Sequence, residues 1–336
     1  MTDRPPLWTE RAIWRTLRPM LDLLSDILTR LSFEGTLYFR TSFTEPWGVR
    51  VPAFSNVARF HYAHRGDALI RVEGLSEPVA VAQGDLVIIP HGAGHTLSCR
   101  HSGPDAVLPL DDVLERSGFS GHGTLVWGGN GSTQDTQLIC GHFALAEGSR
   151  HIILDRLPPV IHLRGYGDDL GPRLDATLRV IGAEAGQARL GSDLIALKMS
   201  EAIFAQAIRA HIEQSPQNEQ GIAGFADPNI GRALTAFHRQ PASDWTVGTL
   251  AREAGLSRTG FAERFSSRIG VTPMSYVTSW RMQIARDALA KDGLSVAETA
   301  VLTGYASESS FSRVFKKEIG QSPAAFRSSG GEGTAT

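Results

Sequence analysis

The chain has 336 residues, of which 42% are hydrophobic and 20% are charged. This length is about twice that of an ordinary domain, so two domains are expected, and the hydrophobic content excludes a disordered chain. The net charge of −2 conceals an asymmetry, because residues 1–227 hold 20 Lys and Arg against 26 Asp and Glu, whereas residues 228–328 hold 13 against 8. This asymmetry predicts a basic C-terminal part that meets a polyanion, joined to an acidic part with another role.

The sequence also predicts where the protein resides. No run approaches 18 apolar residues, and no basic segment leads into an apolar block at the N-terminus, so neither a membrane span nor a signal peptide is expected. The two cysteines, Cys99 and Cys140, do not form a disulfide framework, which fits a reducing compartment. We therefore expect a cytoplasmic protein that does not interact with membranes.

The N-terminal half is predicted to be a helical lead-in followed by a β domain. Residues 1–34 include a helical apolar spacing at 21–31, and residues 35–163 break into short apolar runs separated by Gly, Pro, Asn and Asp, as in a β sandwich or barrel. Within this domain, the Gly-, Ser- and Asp-rich stretch 102–134 predicts a mobile insertion. The predicted strands are 36–39, 60–62, 68–72, 86–89, 124–127 and 137–143.

Residues 164–227 are predicted to link the two domains. Helical periodicity at 169–183 and 190–212 indicates two linker helices, and the polar, glycine-containing stretch 215–227 predicts a flexible connector. We expect the tail at 329–336 to be disordered. The remaining segment, 228–328, is predicted to be entirely helical.

This helical segment contains a duplicated motif. Shifting the sequence by 49 to 50 residues superposes seven identical residues, so two copies of one unit follow each other. Each copy has a short amphipathic helix, a turn at Gly255 or Gly304, and a second helix that begins at Ser257 or Ser307. This pattern predicts a helix-turn-helix whose second helix faces outward. The superposed pairs are Ala251 and Ala300, Gly255 and Gly304, Phe261 and Phe311, Phe265 and Phe315, Ile269 and Ile319, Gly270 and Gly320, and Pro273 and Pro323.

A single helix, predicted at 273–290, separates the two motifs. Its length of ~27 Å, at ~1.5 Å per residue, approaches the ~34 Å that separates successive major grooves on one face of DNA. We therefore expect the two outward helices to enter adjacent major grooves of double-stranded DNA.

The segment 245–327 closely resembles the AraC/XylS family of transcription regulators. The resemblance rests on the duplicated motif together with the residues at 271–276, 280–282, 300–305, 309–311, 315–316 and 320–323. It implies a sequence-specific regulator, more often an activator, that works with RNA polymerase. Glu263 departs from the family pattern, in which a basic or amide residue is common, and either accepts a bond from cytosine or lies off the bases.

The resemblance assigns roles to residues on the outward helices. Arg313 is suited to bidentate contact with guanine, and the serines can bond several bases. Basic residues near the helix ends are suited to phosphates. The base-contacting candidates are Arg258, Thr259, Ala262, Glu263, Glu308, Ser309, Ser312 and Arg313, and the phosphate-contacting candidates are Arg268, Lys316 and Lys317.

The β domain carries a motif of the cupin superfamily, a double-sheet jelly roll. In residues 84–95, Gly84 is followed after five residues by Pro-x-Gly and then by His95, which is the spacing of the second cupin motif. The first motif is incomplete, because His61, Asp67 and Gly74 fit whereas His64 lies one residue beyond the second ligand position. A one-residue shift on a strand turns a side chain to the other face.

Three kinds of signal remain open for this domain. Cys140 and His142 share one strand face, and together with the cupin motif they resemble the sensor domain of an AraC-like subgroup that includes regulators of the response to reactive chlorine species. His61, His95 and Cys140 could bind zinc or copper. Cys99 and Cys140 could instead act as a redox pair. The third alternative is a small apolar effector inside the barrel, with Trp47, Phe60 and Trp127 as candidate lining residues.

An enzyme is the alternative class, because cupins also include metal-dependent dioxygenases and isomerases. The missing second histidine weighs against this reading, and we expect a regulator without enzymatic activity. The sequence thus predicts a two-domain α+β protein, with a cupin-like jelly roll, a helical linker and an all-α duplicated helix-turn-helix. Dimerisation through the sensor or linker is expected, since it would double the DNA-reading surface.

Overall fold

A computed structural model describes residues 22–30, 33–121, 123–129, 136–145, 152–165, 176–177, 180, 190–214 and 222–329. Most of the lead-in at 1–21, nearly all of the helix predicted at 169–183, the connector at 215–221 and the tail after 329 lie outside this set. Within it, no helix is long and apolar enough to cross a membrane.

The N-terminal domain consists of two facing β sheets. Six strands form one sheet in the order β11-β6-β3-β10-β1-β9, and five form the other in the order β5-β4-β7-β2-β8. The strands are β1 (Phe33–Thr44), β2 (Gly48–Val51), β3 (Val57–Arg65), β4 (Ala68–Val72), β5 (Val79–Val81), β6 (Leu86–Ile89), β7 (His95–Ser98), β8 (Val107–Pro109), β9 (Thr124–Gly128), β10 (Gln137–Leu145) and β11 (Ile161–Leu163).

Alternation along the central strands separates two cores. On β6, Val87 and Ile89 face the space between the sheets, whereas Leu86 and Ile88 face the opposite side. Because both faces are covered, β6 reads as a continuous apolar run, and all four residues are buried. Phe60 lies on the outer face of β3, so its predicted place in the barrel lining was wrong.

The cupin motif forms the turn between the two sheets. Gly92 adopts a left-handed conformation with φ 65°, and a Cβ there would lie 2.1 Å from the carbonyl oxygen of Phe54. Glycine is therefore required for this close approach of two backbones. The turn brings His95 onto the five-stranded sheet, opposite the sheet that carries His61.

The predicted mobile insertion is largely regular structure, so that prediction was wrong for the described part of 102–134. A 3₁₀ turn, strand β8, helix α2 (Leu110–Ser117) and strand β9 follow one another there. The elements are too short to show a clear periodicity in a glycine-rich sequence. Val113 of α2 and Leu125 of β9 anchor them in the inter-sheet core. Strands β8 and β9 of this segment form edges of the two sheets, beside β2 and β1.

Helices frame the barrel and form the second domain. Helix α1 (Leu23–Arg30) precedes the barrel, and α3 (Ile152–Asp155) follows β10. The long α4 (Ser192–Gln214) lies where the second linker helix is predicted. A 3₁₀ turn at Ile222–Ala226 occupies part of the predicted connector. The C-terminal helices are α5 (Pro228–Arg239), α6 (Val247–Ala254), α7 (Arg258–Ile269), α8 (Pro273–Ala290), α9 (Val296–Leu302), α10 (Glu308–Ile319) and α11 (Pro323–Ser328).

The outer face of the six-stranded sheet shares one apolar core with helices of both domains. Phe60 and Phe143 stack with ring centroids 5.1 Å apart, and Phe143 meets Phe204 of α4 at 5.2 Å. The same core continues through Phe237 of α5 and Phe265 of α7. A second, separate core, which includes Phe311 and Phe315, lies under the second helix-turn-helix. The two-domain α+β architecture is confirmed.

Candidate functional site

The first helix-turn-helix comprises α6 and α7. Thr246 and Thr249 form a capping box at the start of α6, and Gly255 ends that helix with φ 69°. The Ser257 side chain then accepts from the Gly260 amide and caps α7. These local bonds satisfy backbone groups that a buried helix end would otherwise leave unpaired.

The second copy repeats this design in α9 and α10. Ser295 and Glu298 form its capping box, and the Ser307 hydroxyl accepts from the Ser310 amide at the start of α10. Gly304 takes φ 76°, and a Cβ there would lie 2.3 Å from the carbonyl oxygen of Ala242, in the loop between α5 and α6. The turn of the second motif therefore packs directly against the loop that precedes the first motif.

Both predicted recognition helices present their candidate residues outward. Most of the base-contacting and phosphate-contacting candidates on α7 and α10 are exposed. The opposite faces of these helices are buried through Phe261, Phe265, Phe311 and Phe315. Ala262, Ser312 and Arg268 are half-buried. The exposed candidates are Arg258, Thr259, Glu263, Glu308, Ser309, Arg313, Lys316 and Lys317.

Arg281 on α8 connects the two motifs, a role that the sequence did not indicate. Its guanidinium donates through Nε to the Pro241 carbonyl at 2.9 Å and through Nη2 to the Ser243 carbonyl at 2.7 Å. It also lies over the Tyr305 ring, 5.8 Å from the centroid. Because Tyr305 belongs to the turn of the second motif, one side chain holds both motifs in a defined relative position.

Polar contacts join the N-terminal part of the chain to helices of the DNA-binding domain. Arg156, directly after α3, donates through Nη2 to the Gly270 carbonyl at the end of α7, with a distance of 3.0 Å. His238 of α5 bonds Asp26 of α1 at 2.7 Å through Nδ1 and the Tyr276 hydroxyl of α8 at 2.8 Å through Nε2. Both contacts involve elements that flank the barrel in sequence.

Inside the barrel, four polar side chains form one patch on the six-stranded sheet. Arg59 and His61 lie on the inner face of β3, and Cys140 and His142 lie on the inner face of β10. The register pairs His61 with Cys140 and Arg59 with His142. We call these four residues the inner patch.

A chain of hydrogen bonds crosses from this patch to the other sheet. Cys140 Sγ lies 3.2 Å from His61 Nδ1, His61 Nε2 lies 2.8 Å from His95 Nε2, and His95 Nδ1 lies 3.0 Å from the Ala93 carbonyl oxygen. A carbonyl only accepts, so His95 carries its proton on Nδ1 and accepts at Nε2. His61 then donates from Nε2 and accepts at Nδ1. The Cys140 thiol must supply the last proton, which requires its neutral form.

Burial shifts the pKa values of these three side chains towards the neutral forms that this proton order requires. It raises the pKa of Cys140 far above the usual range of a thiol, against the smaller opposing effect of the Arg59 charge. Burial lowers the pKa of His95 to about 4, against its bond to the Ala93 carbonyl. Burial, reinforced by His95 and Arg59, also holds the pKa of His61 well below its normal value. The thiol and both imidazoles are therefore neutral at physiological pH.

The three proposed metal ligands meet, but they do not surround a common point. Zinc or copper requires nitrogen and sulfur donors that converge at ~2.0–2.3 Å, whereas His61 presents different ring nitrogens to Cys140 and His95. In the part of the chain that the structure describes, no group of three His, Cys, Asp or Glu side chains could hold a metal ion. His64 lies outside the inner patch, as its one-residue shift predicted. These residues do not fit a metal centre.

The two thiols occupy separate environments. Cys99 Sγ accepts a weak hydrogen bond from the Trp47 amide at 3.5 Å, whereas Cys140 bonds His61. Both cysteines are free and buried. A neutral buried thiol is a poor nucleophile, because the thiolate is the reactive form.

The inner patch forms one wall of a cavity of about 320 Å³, which we call the barrel chamber. Among the described lining residues Arg59 alone is ionised, and none of the described acidic side chains pairs with it. Its buried Nε has no hydrogen-bond partner among them either, and the guanidinium lies 4.6 Å from the Phe54 ring centroid. Sequence reasoning missed Arg59, although its position two residues before His61 indicates a shared strand face. Apolar side chains form the other walls, among them Val49, Val51, Leu97, Leu110, Leu114 and Phe119.

A β barrel with an internal chamber, joined to paired helix-turn-helix motifs, defines a two-domain DNA-binding protein. A family model described as a cupin matches residues 22–213, and one described as a helix-turn-helix domain matches residues 250–329. The chain belongs to the AraC-like family of transcription regulators. It binds double-stranded DNA through its C-terminal domain.

Three relatives resemble this chain over nearly its whole length. An AraC-like transcription regulator of Streptomyces lividans is 32% identical, covering 91% of this chain and 98% of its own. The regulator AlkR of Acinetobacter baylyi is 28% identical over 91% and 99% of the two chains. The RCS-specific activator RclR of Escherichia coli K12 is 25% identical over 91% and 97%. These relatives support a regulator and not the cupin metalloenzyme alternative.

Proposed function

We propose that the protein is a cytoplasmic transcription activator that reads two successive major grooves and whose DNA binding responds to a small molecule in the barrel chamber. The observation that carries the two-groove reading is the Arg281 link, which holds both exposed recognition helices in a fixed relation. A rigid pair of readers gains avidity because the second contact forms within the same complex.

The recognition helices divide the work between bases and phosphates. Arg313 is exposed on the second helix and is suited to a bidentate contact with guanine, while Ser309 and Ser312 can bond several bases. Lys316, Lys317 and Arg268 supply the salt-dependent attraction to phosphates. In the first helix Arg258 and Thr259 take the outermost positions, together with Ala262 and Glu263.

A DNA-cleavage footprint of the full chain on its own upstream DNA tests this reading. Two protected segments should lie on one face, about 10 base pairs apart. Insertion of five base pairs between them should abolish the second contact, because it rotates one half-site to the opposite face. A single protected segment, indifferent to the insertion, would contradict the two-groove reading.

Sensing is supported by the packing on the two faces of one sheet. The inner patch faces the chamber, whereas on the other face of the same strands Phe60 stacks on Phe143, which packs on Phe204 of α4. A ligand that moves β3 or β10 therefore acts on the core shared with the DNA-binding helices. Such a ligand changes DNA affinity only if it binds two arrangements of the protein unequally.

The linker helix supports a homodimer. Leu194 and Ile195 of α4 are 61% and 42% exposed, which is unusual for adjacent large aliphatic side chains. Light scattering after size-exclusion chromatography should give a dimer for the wild type and a monomer for Leu194→Asp. A monomeric wild type at micromolar concentration would contradict this part. Contact with RNA polymerase is tested by transcription in vitro, where an activator raises the yield from its own promoter.

Oxidation is a second candidate signal, which the name of the relative RclR favours. Oxidation would act on Cys140 and Cys99. The neutral form of the Cys140 thiol weighs against this signal, because a neutral thiol is oxidised slowly. DNA affinity measured before and after mild hypochlorite, in wild type and in Cys140→Ser, separates the two signals. A loss of response confined to the variant would establish oxidation at Cys140.

A further inference from the structure

We infer that the barrel chamber selects a small apolar monocarboxylate, whose carboxylate pairs with Arg59 and whose apolar body fills the space beneath α2. This inference rests on the proposed sensing function and names the ligand class of the same chamber. The observation behind it is an unpaired guanidinium in a largely apolar cavity.

Arg59 is charged, and the described residues supply no counter-ion for it. An arginine keeps its proton at all physiological pH values, and the nearest compensating group among those residues is the Phe54 ring. The buried Nε also has no hydrogen-bond partner in the described part of the chain. A buried polar atom of this kind costs free energy that a bound anion would recover.

The geometry favours a carboxylate among the anions. A guanidinium offers parallel N–H donors that match the two oxygens of a carboxylate. The chamber holds one ionised group, because burial keeps His61 and His142 neutral, so a monoanion leaves no net charge in the cavity whereas a dianion leaves one. His142 lies opposite Arg59 in the sheet register, and its imidazole has no hydrogen-bond partner among the described residues. His142 is therefore placed to donate a hydrogen bond to the ligand carboxylate from the side opposite Arg59.

The remaining walls require an apolar ligand body. Val49, Val51 and Leu97 come from the five-stranded sheet, and Leu110 and Leu114 come from α2. The cavity volume of about 320 Å³ is at the lower end of ligand pockets, which limits the ligand to a small molecule. Phe54 at the edge of the chamber is 48% exposed, so the chamber reaches the surface beside the guanidinium.

Calorimetric titration of the full chain with three eight-carbon probes tests the inference. Octanoate, 1-octanol and octyl phosphate share one tail and differ in head charge. The expected result is that octanoate binds at least tenfold more tightly than octanol and octyl phosphate. Equal affinity for octanoate and octanol, or no binding of octanoate, would overturn the inference.

Arg59→Met supplies the decisive variant, because methionine keeps an apolar side chain of similar length in the chamber wall. It should lower the affinity for octanoate to that for octanol and leave octanol binding unchanged, which also shows that the chamber is intact. Arg50→Met on β2 is the matched control, since Arg50 is exposed on the outside of the barrel. Retention of the octanoate preference in Arg59→Met would overturn the assignment.

DNA affinity measured with each probe separates this inference from the proposed function. Octanoate binding that leaves DNA affinity unchanged would support the ligand class and contradict the sensing role. A chamber that ignores carboxylates, in a protein whose DNA affinity responds to another small molecule, would contradict the ligand class alone.

Discussion

The guanidinium of Arg156 donates a hydrogen bond to the backbone carbonyl of Gly270 at 3.0 Å, so the N-terminal domain contacts the end of the first recognition helix. Gly270 ends α7 with φ 83°, and a Cβ there would lie 2.9 Å from Arg156 Cζ. The left-handed backbone conformation at this helix end therefore favours glycine. This hydrogen bond connects the barrel domain directly to the DNA-binding domain, without the involvement of α4.

Removal of this contact should loosen the end of α7. We expect Arg156→Ala to speed hydrogen exchange of the amides around Gly270 by about tenfold or more, because a charge-assisted bond to that carbonyl is lost. Exchange in the barrel core should not change. The exposed Arg116 of α2 provides the control, as Arg116→Ala should leave the same amides unaffected. Unchanged exchange at 268–272 in Arg156→Ala would exclude a coupling role for the contact.

The Arg281 link should matter for stability and for two-site DNA binding together. Arg281→Met removes two hydrogen bonds from a charged donor, so the free energy of unfolding should fall by ~2 kcal/mol. Affinity for DNA with both half-sites should fall at least tenfold, whereas affinity for one half-site should change little. Denaturant unfolding and fluorescence anisotropy measure the two effects. Equal losses on both DNAs would show that Arg281 does not align the motifs.

Arg313 and Lys316 should differ in how they affect DNA binding. Arg313→Ala is expected to cost ~1–3 kcal/mol on the cognate site and to relax preference at one base pair. Lys316→Ala should weaken binding to all sequences and reduce the slope of log affinity against log salt by ~1. Anisotropy titrations at four salt concentrations resolve these outcomes, with Arg50→Ala on β2, where Arg50 is exposed, as a control. A sequence-independent loss in Arg313→Ala would assign that residue to phosphate contact.

Cys140 should behave as a hydrogen-bond donor more than as a reactive thiol. Cys140→Val leaves His61 Nδ1 without its donor, and we expect a loss of ~1–3 kcal/mol in the free energy of unfolding. Cys140→Ser keeps a donor and should lose less. Alkylation of native Cys140 at neutral pH should be slow, because burial raises its pKa. Rapid alkylation of the folded protein would contradict the proton order derived for the chain of bonds.

The buried histidines predict a loss of stability in mild acid. The pKa of His95 is lowered to about 4 from 6.5, and His61 is lowered as well. Between these pH values the unfolded chain binds protons that the folded chain does not, so stability is present above pH 6.5 and falls as pH decreases towards about 4. Urea midpoints at pH 7 and 5 should show the fall.

A variant isolates the histidine contribution to this pH dependence. His95→Gln should flatten the dependence between pH 7 and 5, whereas His101→Gln should leave it unchanged because His101 is exposed. Parallel curves for wild type and His95→Gln would place the titrating group elsewhere.

Much of the DNA-binding domain could be predicted from sequence because its signals are local. Gly255, Gly304, Ser257 and Ser307 fix where helices end and begin through bonds within a few residues. Because the motif occurs twice, each helix boundary is indicated by matching residues in both copies. The 102–134 segment was misjudged for the opposite reason, since its short elements are stabilised by distant contacts such as Val113 in the inter-sheet core.

The sequence by itself determined the family, the two-domain order and the outward faces of the recognition helices, because these follow from periodicity, capping and motif spacing. Only the tertiary structure decided what the barrel residues do. Pairing of β3 with β10 set His61 against Cys140 and Arg59 against His142, and the facing sheet supplied His95. Such relations join residues 34 to 79 positions apart, and strand register and sheet packing, which create them, are not written in any local pattern.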